Sequence, residues 1–221
     1  WAMVLNAVDP VMQKKQAPVH SIEPQIYAGA QYAKRDGIEM MVIGDASDYV
    51  FGGMDKLLSK DWRFDEFYRR FIYVEPDAVL KNPVNMRPGF EPFRKGEYID
   101  YMGMLDTITV DESYSSYKNA FEAADMPYQD PYEILKMAEP LDLSRIRGGE
   151  SKYLIRELFR MKYPEFPVPE KVPMPRPVDL YFANWTGPKR EEFQEDLDMT
   201  KFTGNQKWLL WCLERFLDKY C

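Results

Sequence analysis

The feature that most constrains the fold is a short apolar run, Ile38–Ile43 (IEMMVI), which lies between two glycines. Before it, the stretch PQIYAGAQYAKRDG from Pro24 predicts a helix that ends at Gly37. A short apolar run that follows a helix and stops at Gly44 is typical of a buried strand of a parallel sheet. The sequence therefore predicts an α/β fold with a largely helical C-terminal part.

The rest of the chain is predicted to be mainly helical. Helices are expected over residues 57–72, 111–124 and 131–138, over the segment GGESKYLIRELFRMKYPE that ends at Pro164, and over the C-terminal run NQKWLLWCLERFLDKY, whose apolar stripe predicts a docking helix. Residues 1–20 are predicted to form a short apolar segment and a turn-rich connector. The six prolines of residues 164–177 exclude regular structure there.

Composition excludes several classes of protein. Hydrophobic residues make up 45% of the 221, which excludes a disordered chain. No apolar run approaches the ~20 residues that span a bilayer, so no membrane partner is expected. A net charge of −7 argues against a nucleic-acid partner.

Two cysteines make no disulfide framework, and the reducing cytoplasm is the expected location. The chain opens with Trp1 and no signal peptide, as the middle of a longer chain would.

The first candidate site is the segment Gly44-Asp45-Ala46-Ser47-Asp48, directly after the predicted strand. In open α/β sheets, ligands bind beyond the carboxyl ends of the strands. Asp45 and Asp48 share one face if the segment turns into a helix, and carboxylate oxygens at that spacing suit Mg²⁺. The alternative is that Asp45 or Ser47 merely caps the next helix.

The second candidate is Lys152, which is predicted to lie in the first turn of a helix entered through Gly148 and Gly149. A lysine there opposes the helix dipole, but a bound phosphate would make the same position favourable. The alternative is that Glu150 or solvent neutralises the charge. His20 is the single histidine and is interpreted as structural, and a Cys/His zinc site is nearly excluded.

Three motifs in order resemble the synthetase domain of the asparagine synthetase and β-lactam synthetase family. They are the strand followed by GDASDYVFGG (residues 44–53), the sequence PYQD (127–130), and KYLIR (152–156). The corresponding family patterns are G-x-G-[SA]-D-E-x-F-G-G, P-F-L-D and K-x-x-[LI]-R. The resemblance implies an adenine-nucleotide alpha-hydrolase-like parallel sheet. It covers roughly residues 19–165, and we expect a synthetase domain over 1–165 followed by a proline-rich loop and docking helices over 166–221.

The resemblance implies an ATP-dependent, amide-forming ligase with ATP and Mg²⁺ as cofactors. A small-molecule carboxylate would be adenylated, and ammonia or an amine, supplied by a glutaminase domain or partner, would displace AMP. Gly44 and Asp45 would lie against the nucleotide, and Asp48 would hold Mg²⁺. Lys152 would neutralise charge on the phosphates, and Lys152 and Asp45 would be the catalytic residues. A homo-oligomer is compatible with this assignment.

The chain departs from the family pattern in ways that leave other functions open. Asp45 stands where asparagine synthetase has Glu, Tyr49 replaces a second Glu, and nothing matches the S-G-G-x-D-S pyrophosphate loop. The alternative is a non-catalytic binding module derived from the family. A tRNA- or nucleotide-modifying ATP-pyrophosphatase is a third hypothesis, and the acidic balance counts against tRNA.

Overall fold

A computed structural model describes residues 1–172 and 175–221, and the side chains of residues 108–112 lie outside that description. The helices are α1 (Ala2–Lys15), α2 (Glu23–Arg35), α3 (Ser47–Val50), α4 (Asp55–Leu58), α5 (Phe64–Ile72), α6 (Pro76–Val79), α7 (Tyr101–Met104), α8 (Val110–Ala123), α9 (Leu143–Arg147), α10 (Tyr153–Lys162), α11 (Val178–Tyr181) and α12 (Gly204–Tyr220). The strands are β1 (Met41–Val42), β2 (Arg94–Lys95), β3 (Tyr98–Ile99) and β4 (Tyr128–Gln129). Short 3₁₀ turns cover Arg87–Gly89, Glu91–Phe93 and Met199–Lys201, and a π-helical turn covers Leu105–Thr109.

The chain divides into two compact units. One, here called the helical unit, comprises residues 1–39, 63–127 and 175–221. The other, here called the α/β unit, comprises residues 40–62 and the described residues from 128 to 172. The contacts that define these units do not test the domain division expected at residue 165, which stays a prediction.

The helical unit is built around α1, α2 and α8, which pack on one another. A further hydrophobic cluster packs Val79, Phe193 and Met199 against Leu210 of α12. Trp208 of α12 is buried, and its indole N–H donates to the Val19 carbonyl at 2.9 Å. The predicted C-terminal helix is therefore confirmed, as are the helices predicted to end at Gly37 and at Pro164, and the docking role of the C-terminal helix stays a prediction.

The α/β unit contains a parallel pair, with Met41 of β1 opposite Tyr128 of β4 and Val42 opposite Gln129. A mixed α/β, mostly helical chain with a small parallel sheet is therefore confirmed. The expectation of a buried strand over residues 38–43 is wrong in extent and burial, because β1 has two residues and Val42 is 63% exposed. Interior strands of parallel sheets have neighbours on both edges, whereas β4 is the one strand paired with β1 among the described residues.

Three other predictions of secondary structure are wrong. The single helix expected over residues 57–72 is interrupted at residues 59–63, between α4 and α5. Residues 1–20 contain α1, with Pro10 inside the helix, because burial of Val8, Val11 and Met12 outweighs the hydrogen bond that proline removes. Residues 131–138 form turns instead of a helix. There the Asp130 carboxylate accepts the Tyr132 N–H at 3.0 Å, a local bond that competes with helix formation.

Candidate functional site

A buried carboxylate joins the loops that follow the two parallel strands. Asp130, the residue directly after β4, is 8% exposed, and its Oδ2 accepts the Ala46 backbone N–H at 2.8 Å. Because the carboxyl ends of parallel strands lie at the same edge of a sheet, this bond fixes the loop after β1 against the loop after β4. Asp130 closes the 127–130 motif, which was the one sequence signal for it, and no role was assigned to it from the sequence.

The loop after β1 folds into a tight turn and the short helix α3. The Ser47 hydroxyl donates to the Gly44 carbonyl at 2.7 Å, and the residue that caps α3 is Ala46, which has no polar side chain. Neither Asp45 nor Ser47 therefore occupies the capping position, which was the alternative to a ligand role. Gly44 is exposed and Asp45 is half-buried at the same edge of the sheet.

Lys152 contacts this loop directly. Its ammonium lies 2.5 Å from Asp48 Oδ1 and donates to Ser47 Oγ at 2.8 Å. Glu150 pairs with Arg145 at 2.5 Å instead, so the carboxylate that neutralises Lys152 is Asp48. The structure thus brings together two of the residues singled out in the sequence, from segments far apart along the chain.

The backbone at Lys152 differs from the expected first helical turn. Lys152 is the N-cap residue of α10, with φ 53 and ψ 36, so it lies in the left-handed region. That conformation costs a residue with a Cβ roughly 1–2 kcal/mol. The helix begins at Tyr153, so Lys152 lies just before the first turn in which it was predicted. Tyr153 is buried, and its hydroxyl accepts the Asp142 N–H at 3.1 Å.

The two glycines of the Phe51-Gly52-Gly53 motif are required by close packing. Gly52 has φ +71, and a Cβ there would lie 2.5 Å from Ile146 Cδ1. A Cβ on Gly53 would lie 2.0 Å from Asp48 Oδ1 and 2.3 Å from Lys152 Cε. The motif therefore leaves the space through which the Lys152 side chain reaches Asp48.

A second lysine reaches the same loop from the proline-rich segment. The Lys171 ammonium donates to the Gly53 carbonyl and lies 3.3 Å from Asp55 Oδ2. The other oxygen of Asp55 is buried without a hydrogen-bond partner in the described structure. Because residues 164–177 were predicted only to be an irregular loop, no role was predicted for Lys171.

One carboxylate at this edge of the sheet lies beside the ammonium. Among residues whose positions are described, no group of three His, Cys, Asp or Glu side chains could hold a metal ion. Asp48 offers a half-exposed carboxylate, and its Oδ1 has the Lys152 ammonium as its close polar neighbour. Mg²⁺ in nucleotide sites takes one or two carboxylates together with phosphate oxygens, and Asp48 is a residue here that could hold such an ion.

The other residues considered from the sequence lie in the helical unit. His20 borders a cleft there, and burial together with the charges of Arg176 and Lys15 lowers its pKa to about 4. Cys212 is buried and Cys221 is exposed, and both are free thiols.

Comparison of the chain with protein-family models, with curated proteins and with solved structures finds no match. Within the described ranges, no helix is long and apolar enough to cross a membrane.

Proposed function

We propose that the α/β unit is part of an ATP-dependent ligase of the asparagine-synthetase type, with the adenine-nucleotide alpha-hydrolase-like sheet of that family. The observation that carries the proposal is the contact of Lys152 with Asp48 and Ser47, beyond the carboxyl end of β1 and under Gly53. An ammonium and a carboxylate at that edge of a parallel sheet are the charges that phosphates and Mg²⁺ require.

The proposed reaction joins a small-molecule carboxylate to ammonia or an amine. A carboxylate oxygen attacks the α-phosphorus of ATP, the bond to the bridging oxygen breaks, and pyrophosphate leaves. The amine then attacks the acyl carbon, and AMP departs as the amide forms. Mg²⁺, when bound with the nucleotide, neutralises the charge on the phosphate oxygens.

In this proposal the two members of the ion pair are the residues that would contact Mg-ATP. Asp48 would hold the metal, and Lys152 would contact the phosphate oxygens, where a fixed ammonium stabilises the charge that grows as pyrophosphate leaves. The Ser47 hydroxyl, which donates to the Gly44 carbonyl, accepts a hydrogen bond from the Lys152 ammonium and so holds the lysine close to this position. Gly44 and Asp45 lie at the sheet edge where the nucleotide would bind.

Binding of Mg-ATP, measured by calorimetry, tests the proposal. We expect Asp48→Asn and Lys152→Gln each to lower the affinity for Mg-ATP at least about tenfold, which corresponds to loss of one charge-assisted contact. Lys162→Gln is the matched control, because Lys162 lies in the last turn of the same helix α10. Unchanged affinity in both site variants would remove the basis for the ligase. Where Mg-ATP binds, release of pyrophosphate over a panel of carboxylates identifies the substrate.

A non-catalytic binding module is the second candidate, and one observation favours it. Asp48 and Lys152 already satisfy each other's charge, as a purely structural ion pair does. In that case the double variant Asp48→Asn/Lys152→Gln would be more stable than either single variant, while nucleotide affinity would be absent from the parent as well.

A further inference from the structure

A cleft of about 420 Å³ in the helical unit carries one positive charge that no described carboxylate neutralises. The charge belongs to Arg176, which forms no ion pair with any residue in the described part of the chain. Two acidic residues of the helical unit have other partners, since Glu23 pairs with Lys15 at 2.6 Å and Asp179 accepts the Gly204 N–H at 2.6 Å.

The polar groups beside Arg176 are arranged as donors. The imidazole Nδ1 of His20 accepts the Ile22 N–H at 3.4 Å, so the proton of the neutral ring is on Nε2. The amide oxygen of Asn205 accepts the hydroxyl of the buried Ser21 at 3.2 Å, which leaves the amide N–H₂ as a donor. A cation and two neutral donors in the lining of one cleft favour an anion.

The cleft is also lined by apolar side chains. Phe71, Ile72 and Trp208, which is 1% exposed, are among them and are here called the aromatic wall. Tyr73, another lining residue, has φ 63 and ψ −36, outside the regions that residues with a Cβ normally adopt. The Gln206 side chain donates to the Tyr73 carbonyl at 2.8 Å and holds this conformation. Backbone conformations of this kind persist where the surroundings fix them, often at ligand sites.

We propose that this cleft binds a small organic acid, with its carboxylate against Arg176, His20 and Asn205 and its apolar body against the aromatic wall. The cleft lies in the helical unit, and the proposal does not depend on the ligase chemistry proposed for the α/β unit. Its volume falls in the range of small-molecule sites, which are mostly apolar with a few polar groups that fix orientation.

The single histidine makes a site-specific assay possible without resonance assignment. The imidazole C–H signals of His20 are followed by NMR at pH 7 while 3-phenylpropionate is added. We expect a saturable shift, and no shift with the uncharged 3-phenylpropanamide. Inorganic phosphate should bind at least tenfold more weakly, because it lacks an apolar body. Equal affinity for the amide or for phosphate would overturn the organic-acid assignment.

Two variants test whether Arg176 supplies the positive charge that binds the carboxylate. Arg176→Gln should lower the affinity for 3-phenylpropionate by about tenfold to a hundredfold, the usual loss when one charged hydrogen-bond partner is removed. Asn205→Asp keeps the acceptor for Ser21 and places a carboxylate beside Arg176, so it should also abolish binding. The control is Arg160→Gln on α10, and circular dichroism confirms that each variant is folded. Parent-like affinity in either cleft variant would refute the site.

Discussion

Replacement of Gly53 by alanine tests whether close packing fixes the Asp48–Lys152 pair. The new Cβ would lie 2.0 Å from Asp48 Oδ1 and 2.3 Å from Lys152 Cε, so both side chains must retreat by about 1 Å or more to reach ordinary contact. We expect that movement to break the 2.5 Å ion pair. Lysine would lose its partner, and the buried carboxylate oxygen would lose its close cation.

The expected net destabilisation lies between about 0.2 and 3.6 kcal/mol. A partly exposed ion pair contributes about 0.2–1 kcal/mol, and a buried oxygen without a partner costs about 1–3 kcal/mol. Alanine offsets about 0.4–1 kcal/mol of this loss by restricting the unfolded chain. Hydrogen exchange of residues 40–62 measures the loss within the α/β unit, because that segment carries both Asp48 and Gly53.

Gly29→Ala is the matched control for this substitution. Gly29 lies inside α2, and a Cβ there would meet nothing within 4 Å. Alanine should therefore stabilise the helix by about 0.5–1 kcal/mol, which is its propensity advantage over glycine. If Gly53→Ala keeps the hydrogen-exchange protection of the parent while Gly29→Ala gains stability as expected, Gly53 is not needed for the ion pair.

Four further measurements follow from Asp130, His20 and Cys212. Asp130→Ala should destabilise the α/β unit by about 1–3 kcal/mol in urea unfolding, because it leaves a buried backbone N–H without an acceptor; Asp130→Asn should lose less. Burial chiefly, then Arg176 and Lys15, hold the pKa of His20 at about 4, so NMR titration of Arg176→Gln should give a higher pKa that stays below 6.5. Since unfolded His20 binds its proton near pH 6.5 and the folded one does so near pH 4, stability should fall as the pH drops through that window, and less in His20→Gln. Burial raises the pKa of the Cys212 thiol, so a thiol reagent should label Cys221 in the native protein and Cys212 only on unfolding.

Elements with a strong local pattern could be predicted from the sequence. The stripe on α12, the proline that opens α2 and the proline after α10 are all signals within one helix, and all three helices are present. The helix α1 was missed because Pro10 is an unfavourable local signal, and the packing of its apolar face on α2 and α8 is not visible in a local window.

The candidate site shows the same division between local and long-range information. Asp45 and Asp48 were found because both follow a predicted strand, and Lys152 was found because it begins a helix. Their mutual geometry could not be predicted from spacing, since the Asp48–Lys152 contact joins distant segments. Lys171 carried no local signal at all, because a lysine in a proline-rich stretch is compatible with many backbone paths.

The left-handed backbone at Lys152 places two kinds of selection in conflict at one position. Asparagine and glycine adopt φ 53 more readily than lysine does, so on backbone grounds alone either would be the better residue there. A pooled library of all residues at position 152, sorted for cellular abundance, would rank the folding requirement separately from any requirement for the ammonium. Enrichment of glycine and asparagine over lysine would mean that the natural residue is kept at the expense of abundance, as happens where a charge serves activity.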